Sequence, residues 1–243
     1  MPDRLRLVRL LTGTSGFSYK EWKGSFYPED LPADQMLRYY SERLPAVEIN
    51  NTFYRMPKPE LLVGWCEQVP AAFRFVLKAS QRITHRKRLK EAGEEVDWFY
   101  RVAAALGERA GPTLFQLPPN LKKDLPRLQD FLAVLPERAR PAFEFRHASW
   151  FEDDVFEALR ARGAALCIAE DEELATPLVA TAGWGYLRLR RQDYDDGVVS
   201  AWAEKIRSQA WDEAYAFFKH EDSGTGPRLA AVLAEKFAGA PAP

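Results

Sequence analysis

The chain has 243 residues, of which 47% are hydrophobic, and its 34 basic residues almost balance its 35 acidic ones. This composition excludes a disordered chain, and it gives no overall bias toward nucleic acid or an anionic membrane. Cys66 and Cys167 are the two cysteines and form no Cys-x-x-Cys pair, so neither a disulfide framework nor a thiolate zinc site is expected. No apolar run approaches the ~20 residues that cross a bilayer, and the N-terminus lacks the apolar core of a signal peptide. These features predict a cytoplasmic protein that does not associate with membranes.

Short apolar strand patterns alternate along the chain with apolar stripes at helical spacing. The predicted strands cover residues 7–14, 46–50, 73–79, 113–117, 164–169, 186–190 and 214–219, and one further strand, the fifth, begins at Ala142. The predicted helices lie near residues 36–44, 59–69, 96–106, 125–135, 153–162, 199–209 and 229–237, with a less regular one around 174–180. Gly107 and Gly163 are placed to end helices, and Gly111-Pro112 is placed to separate the third helix from the fourth strand.

About eight strand and helix units follow one another at a spacing of roughly 30 residues, the pattern of a parallel sheet with crossover helices. Because eight short units account for the whole chain, we predict one (β/α)8 TIM-type barrel over residues 1–243. An open doubly wound sheet is the alternative.

Functional groups of such barrels lie where the strands end, at the carboxyl side of the barrel. Polar residues follow the predicted strands in this chain. Those selected as site candidates are Glu48, Asn50, Tyr54, Lys78, Gln116, Glu144, Arg146, His147, Trp150, Arg188 and His220.

The densest of these segments is residues 142–150, which places an acid, a guanidinium and an imidazole at the end of the fifth strand. Alternation along a strand sends Glu144 and Arg146 to one face and Phe143 and Phe145 to the other. His147 is then a candidate acid or base beside Glu144, with Glu48 as a second carboxylate. The alternative for His147 is a loop histidine that caps the backbone beside Trp150.

Several cations meet at the predicted strand ends, although the net charge of the chain is close to zero. The cations are Lys78, Arg146, Arg188 and Lys219. They predict a small anionic ligand, because guanidinium and ammonium groups bind carboxylate and phosphate. The alternative is a purely structural network in which the carboxylates pair with these cations. His85 lies among basic residues, which favours a solvated loop.

The residues leave two further chemistries open. A divalent metal has possible ligands in Glu48, Glu144, His220 and Asp222, but no ligand spacing fixes a site and the nearby cations oppose it. The carboxylates also fit a glycosidase. No phosphate-loop, dinucleotide-binding or nucleophile-elbow motif is found, and no cofactor is predicted.

The same segments resemble the DUF72, or YecE-like, family. The resemblance rests on Gly13-Thr14-Ser15-Gly16-Phe17-Ser18-Tyr19 with Trp22, on residues 47–54, on Lys78 with Ile83-Thr84-His85, on residues 111–119 and on residues 144–150. It covers residues 11–237 and implies a TIM-type barrel in a bacterial or archaeal intracellular protein, without a settled activity. Two segments depart from the family pattern, 188–191 (Arg-Leu-Arg-Arg) and 219–222 (Lys-His-Glu-Asp), and both change the charge at the mouth.

The sequence leads to two functional hypotheses of different classes. The first is a hydrolase that acts on a small phosphate-ester-like anion, with Glu144 and His147 as acid and base, cations that stabilise negative charge, and Asn50, Tyr54 and Gln116 as orienting groups. The second is a module without catalytic activity that binds a nucleotide or single-stranded nucleic acid. The sequence gives no expectation of oligomeric state.

Overall fold

A computed structural model describes residues 8–170, 174–220 and 222–239 of the chain. Eight parallel strands pair in chain order and close into a barrel, because the first strand also pairs with the eighth. The strands are β1 (Arg9–Ser15), β2 (Ala46–Ile49), β3 (Arg74–Lys78), β4 (Ala110–Gln116), β5 (Pro141–Glu144), β6 (Ala165–Glu170), β7 (Trp184–Leu189) and β8 (Glu213–Phe218). The closed barrel confirms the predicted fold class.

Seven α-helices lie in the described ranges, outside the barrel. They are α1 (Met36–Ser41), α2 (Pro59–Gln68), α3 (Gly93–Ala103), α4 (Leu125–Val134), α5 (Asp153–Arg162), α6 (Asp196–Arg207) and α7 (Thr225–Ala238). Their ends follow local chemistry. Asp124 and Asp195 cap α4 and α6 by accepting the backbone N–H groups of Arg127 and Val198, and Gly163 ends α5 in the left-handed conformation (φ 65°).

The helix predicted around residues 174–180 is wrong. Residues 174–183 contain no helix, and Ala175 instead forms an antiparallel bridge with Glu170 at the end of β6. Pro177 disfavours a helical conformation at Thr176, whose N–H donates to the carbonyl of Ala169. Thr181 fixes the end of the loop, because its hydroxyl accepts from the N–H of Leu166 and donates to the carbonyl of Ala164.

Two predicted boundaries also shift. Gly111-Pro112 lies inside β4 instead of preceding it, at an irregularity in the pairing with β3. An irregular register tolerates Pro112, which has no N–H for the ladder. The third helix ends at Ala103 before Gly107, and the chain then continues through 3-10 turns over Ala104–Arg109.

The interior of the barrel changes in character along its axis. It contains a cluster of buried apolar side chains that includes Leu11, Val76 and Leu114. The layer at the carboxyl ends of the strands is polar and charged, and it is equally buried. The buried charged layer therefore packs against an apolar cluster inside the barrel.

Candidate functional site

Five of the predicted site residues come together as the inward-facing residues near the ends of their strands. They are Glu48, Lys78, Gln116, Glu144 and Arg188. All are buried. Alternation along parallel strands explains this convergence, because each strand directs its last inward side chain toward the same end of the barrel.

Glu48 has both carboxylate oxygens occupied by donors. Ser15 Oγ (2.8 Å), Asn50 Nδ2 (3.2 Å) and Arg188 Nη2 (2.8 Å) donate to Oε1. Tyr186 OH donates to Oε2 over 2.6 Å. Burial opposes ionisation, but Arg188 and these hydrogen bonds outweigh it and hold the pKa of Glu48 below its usual value. Glu48 is therefore an anion that supports its neighbours.

Glu144 is bound in the same manner. Arg188 Nη1 donates to Oε2 over 2.6 Å, while Gln116 Nε2 (2.9 Å) and Arg190 Nη2 (3.0 Å) donate to Oε1. Burial raises the pKa of Glu144, but the two guanidinium groups and the hydrogen bonds more than compensate and bring it to about 2. A carboxylate with such a low pKa cannot donate a proton near neutral pH, and it is a weak base.

Arg188 joins the two carboxylates. Its side chain is 2% exposed, and each terminal nitrogen donates to a different glutamate. Burial acts against the charge, yet the two carboxylates raise the pKa of Arg188 well above its normal value. This arrangement corresponds to the structural network that the sequence left open as an alternative.

Lys78 lies in the same layer and forms no ion pair with a carboxylate of the described residues. Its Nζ donates to the neutral amide oxygen of Gln116 over 2.8 Å and lies 4.3 Å from the centre of the Phe53 ring. Among the described residues, no carboxylate oxygen lies within ion-pair distance of it. Burial and then the charge of Arg188 lower the pKa of Lys78 to about 8. Lys78 can therefore exchange a proton close to physiological pH.

His85 is a candidate functional residue in the structure, although its basic neighbours in the sequence favour a solvated loop. It lies half-buried in a π-helical turn (Arg82–Arg86) that follows β3, with its ring edge-on to Phe53 at 4.8 Å between ring centres. Burial, Lys78 and Arg146 lower its pKa, in that order, so its imidazole is neutral at pH 7. Single π-helical turns occur frequently at functional sites, but the sequence Arg-Ile-Thr-His-Arg has no pattern that predicts one.

A cleft of about 140 Å³ opens above Glu144. Arg146, Leu174 and Arg190 line it together with Glu144. Arg146 is about one-third exposed, and its Nε lies 3.7 Å from Glu144 Oε1. This arrangement can bring an anion to the edge of the charged layer.

His147 and Trp150 have structural contacts. His147 Nδ1 accepts the N–H of Ser149 over 3.2 Å at the start of a 3-10 turn. Trp150 is fully buried, stacks on Phe145 at 4.7 Å and donates its Nε1 proton to the carbonyl of Leu121. Because Trp150 has no exposed surface, it shapes the end of β5 and does not present a face to a ligand.

The remaining candidates lie at the rim. Asn50 donates to Glu48, and its own Oδ1 is buried without a hydrogen-bond partner in the described structure. Tyr54 is 73% exposed and lines a separate groove of about 600 Å³ with Met56 and Leu61. His220 Nε2 lies 2.6 Å from the carbonyl of Arg191.

Metal binding finds little support in the site geometry. Within residues 8–170, 174–220 and 222–239, no group of three or more His, Cys, Asp or Glu side chains is arranged to hold a metal ion. Glu48 and Glu144, two of the four candidate ligands, are bound by Arg188. The carboxylates also lack the raised pKa that a glycosidase acid requires.

The closed parallel barrel and its buried charged layer define a single-domain (β/α)8 protein with a candidate site at the carboxyl ends of the strands. The family model described as "Protein of unknown function DUF72" matches residues 11–242. The chain belongs to the DUF72 family, which confirms the resemblance seen in its motifs.

Individual relatives agree with this assignment. The chain is 34% identical to the UPF0759 protein YecE of Escherichia coli (strain K12) over 128 residues, which are 52% of this chain and 47% of YecE. It is 25% identical to the UPF0759 protein YunF of Bacillus subtilis (strain 168) over 169 residues, 65% of this chain and 60% of YunF. The matches thus span about half of the length of these curated relatives.

Solved structures show the same fold. A DUF72 family protein from Thermotoga maritima superposes with a TM-score of 0.78 at 28% identity, covering 95% of this chain and 98% of that one. A DUF72 family protein from Enterococcus faecalis gives a TM-score of 0.79 at 19% identity over 96% and 97% of the two chains. In the described part of this chain, no helix has both the length and the apolar character needed to span a membrane.

Proposed function

We propose that the barrel mouth binds a small phosphate-ester-like anion and hydrolyses it by proton transfer, in a cytoplasmic protein. The observation that carries the proposal is the environment of Lys78, a buried amine whose hydrogen-bond partner is a neutral amide. Structural cations in barrel interiors are normally paired, as Arg188 is here. A buried lysine with a shifted pKa at the carboxyl ends of barrel strands is a candidate functional group.

The residues divide into supporting and reacting groups in this proposal. Glu48, Glu144 and Arg188 hold the geometry of the layer. Gln116 positions Lys78 relative to these residues, because its Nε2 donates to Glu144 while its Oε1 accepts from Lys78. Arg146, at the cleft, attracts the anion and stabilises its charge.

Hydrolysis then needs a base for water and an acid for the leaving group. The neutral imidazole of His85 accepts a proton from the attacking water as the new P–O bond forms. The ammonium of Lys78 donates a proton to the departing oxygen as the old P–O bond breaks. Both groups lie against Phe53, and acid–base groups of this kind contribute about 10²–10⁴-fold in rate.

The test is release of inorganic phosphate from a panel of small phosphate monoesters by the full chain. We expect turnover that declines as the pH rises through about 8, since the acid form of Lys78 is required. Lys78→Arg retains the charge but cannot titrate, and should reduce the rate at least ~100-fold. Lys90→Arg, at a surface lysine that is 71% exposed, is the matched control. Absence of turnover across the panel, or full activity in Lys78→Arg, contradicts the proposal.

The second candidate is a module that binds a nucleotide or single-stranded nucleic acid, and the exposed ring of Tyr54 favours it. Tyr54 shares its groove with Arg55 and Lys58, a combination of a stacking surface and cations that suits a base and its phosphate. Binding of a labelled oligonucleotide that weakens steeply with salt and is lost in Tyr54→Ala would support this candidate. Binding that is independent of Tyr54 would contradict it.

A further inference from the structure

We propose that Lys78 also acts as a nucleophile that forms an imine with the carbonyl group of a small anionic aldehyde or keto acid. The inference shares the anion-binding mouth with the proposed hydrolase but assigns a different chemistry, covalent attachment, to the amine. Four features of the site lead to it.

The first feature is that the two buried carboxylates pair with Arg188 and not with Lys78. Arg188 binds both buried carboxylates at 2.6 and 2.8 Å, and neither of them lies within ion-pair distance of Lys78. Lys78 is 8% exposed, and an ammonium buried without an ion pair to the described part of the chain loses its charge more easily than a surface lysine. The neutral amine is the form that attacks a carbonyl carbon.

The second feature is the orientation of the amine. Gln116 is fixed by its donation to Glu144 over 2.9 Å, so its Oε1 is held toward Lys78 Nζ. A neutral amine has two N–H groups and one lone pair. When one N–H donates to Gln116, the other N–H and the lone pair remain for a ligand.

The third feature is the surface beside the amine. The Phe53 ring lies 4.3 Å from Lys78 Nζ and 4.8 Å from the His85 ring. An aromatic wall excludes water from the product, and water would otherwise hydrolyse an imine. His85 lies on that wall, where a neutral imidazole can transfer the protons that imine formation requires.

The fourth feature is the charge of the opening. Arg146 lines the cleft above Glu144, which is bonded through Gln116 to Lys78, and the charge of Arg146 also acts on His85. A guanidinium at the entrance selects a carbonyl compound that carries a carboxylate or phosphate. The ligand class is therefore a small anionic carbonyl compound.

The reaction balances without a redox partner. The Lys78 lone pair forms an N–C bond, the carbonyl π pair moves to oxygen, and a proton passes from nitrogen to that oxygen to give a carbinolamine. The hydroxyl then leaves with a second proton as water while the nitrogen lone pair forms the C=N bond. The net change is amine plus carbonyl to imine plus water.

The experiment traps the imine on the full chain. The protein is incubated with pyruvate or glyoxylate and sodium cyanoborohydride, which reduces an imine to a stable secondary amine, and the modified lysines are located by peptide mass spectrometry. Exposed Lys90 in the same molecule is the internal reference, so the comparison does not depend on the folding of a variant. We expect Lys78 to be modified at least ~10-fold faster than Lys90 at pH 7, since a lower pKa provides more neutral amine.

Two further measurements distinguish imine formation from hydrolysis and test the role of Arg146. Modification of Lys78 should accelerate as the pH rises toward 8, the opposite direction to the hydrolysis expected above. Arg146→Met should slow trapping with pyruvate but not with uncharged acetaldehyde. Modification of Lys78 no faster than that of Lys90 overturns the inference, whatever the result of the phosphatase panel. Rapid trapping without phosphate release would retain the imine and reject the hydrolase.

Discussion

Arg188 and Lys78 are two cations buried in one layer of the barrel, and they have different partners there. Arg188 has a carboxylate on each terminal nitrogen, whereas Lys78 has an amide oxygen and an aromatic ring. The pKa of Arg188 is consequently raised, and that of Lys78 is lowered to about 8. Burial alone does not determine whether a charged group is structural or reactive. The partners that accompany the group into the interior determine it.

The same contrast divides the layer into two regions. The region around β2, β5 and β7 contains Glu48 and Glu144, each paired with Arg188, and it should contribute stability. The region around β3 and β4 contains Lys78 and Gln116, and it should contribute reactivity. Variants in the first region should therefore mainly change the free energy of unfolding, and variants in the second should mainly change activity.

Arg188→Met should produce the largest effect. It leaves Glu48 and Glu144 buried together without their shared cation, and removal of one partner from a buried ion pair costs about 3–5 kcal/mol. Urea unfolding followed by tryptophan fluorescence measures the loss. Lys236→Met, which breaks the surface pair with Asp196, should cost no more than about 1 kcal/mol. Equal losses in the two variants would contradict a stabilising role for the network.

Glu144→Gln should have the next largest effect, about 2–3 kcal/mol of unfolding free energy at pH 7, because a hydrogen bond to a charged group is lost and Arg188 keeps one carboxylate. The pKa of Glu144 is lowered from 4.5 to about 2 in the folded protein. Its ionisation therefore stabilises the fold above pH 4.5, and this contribution is lost as the pH falls toward 2. The difference between the wild type and Glu144→Gln should shrink over that window. A difference that stays constant with pH would contradict the assigned pKa.

The fold and the residues of the buried charged layer can be predicted from the sequence, and particular residues show why. The alternation of Phe143, Glu144, Phe145 and Arg146 determines which side chains enter the barrel, so Glu144 could be placed from the chain alone. The same rule applies to Glu48, Lys78, Gln116 and Arg188, since each lies near the end of a strand. The helix predicted around residues 174–180 shows a limit, because the bridge between Ala175 and Glu170 depends on tertiary contacts.

The chemical roles could not be predicted in the same way. Glu144 was the predicted acid or base, but its pKa depends on Arg188 and Arg190, which lie 44 and 46 positions away along the chain. His85 was assigned to a solvated loop because its neighbours in sequence are basic. In the structure its ring packs on Phe53, which follows β2, and its pKa is lowered by Lys78 at the end of β3 and by Arg146 beyond β5. Partners that are distant in sequence set the pKa of each group, and one sequence does not reveal them.

Lys78→Met should produce the smallest change in stability, within about 1 kcal/mol at pH 7. It removes an ammonium that has no ion pair among residues 8–170, 174–220 and 222–239, and it retains an apolar side chain of similar length. Its pH dependence distinguishes it from the preceding variants. In the wild type, the unfolded chain binds a proton at Lys78 up to pH 10.5, whereas the folded protein releases it near pH 8. Wild-type stability should therefore rise relative to Lys78→Met between these values, the direction that linkage requires when the unfolded state binds more protons. Parallel unfolding curves from pH 7 to 10.5 test this, and a relative decrease in wild-type stability would show that Lys78 is stabilised as an ammonium, as Arg188 is stabilised as a guanidinium.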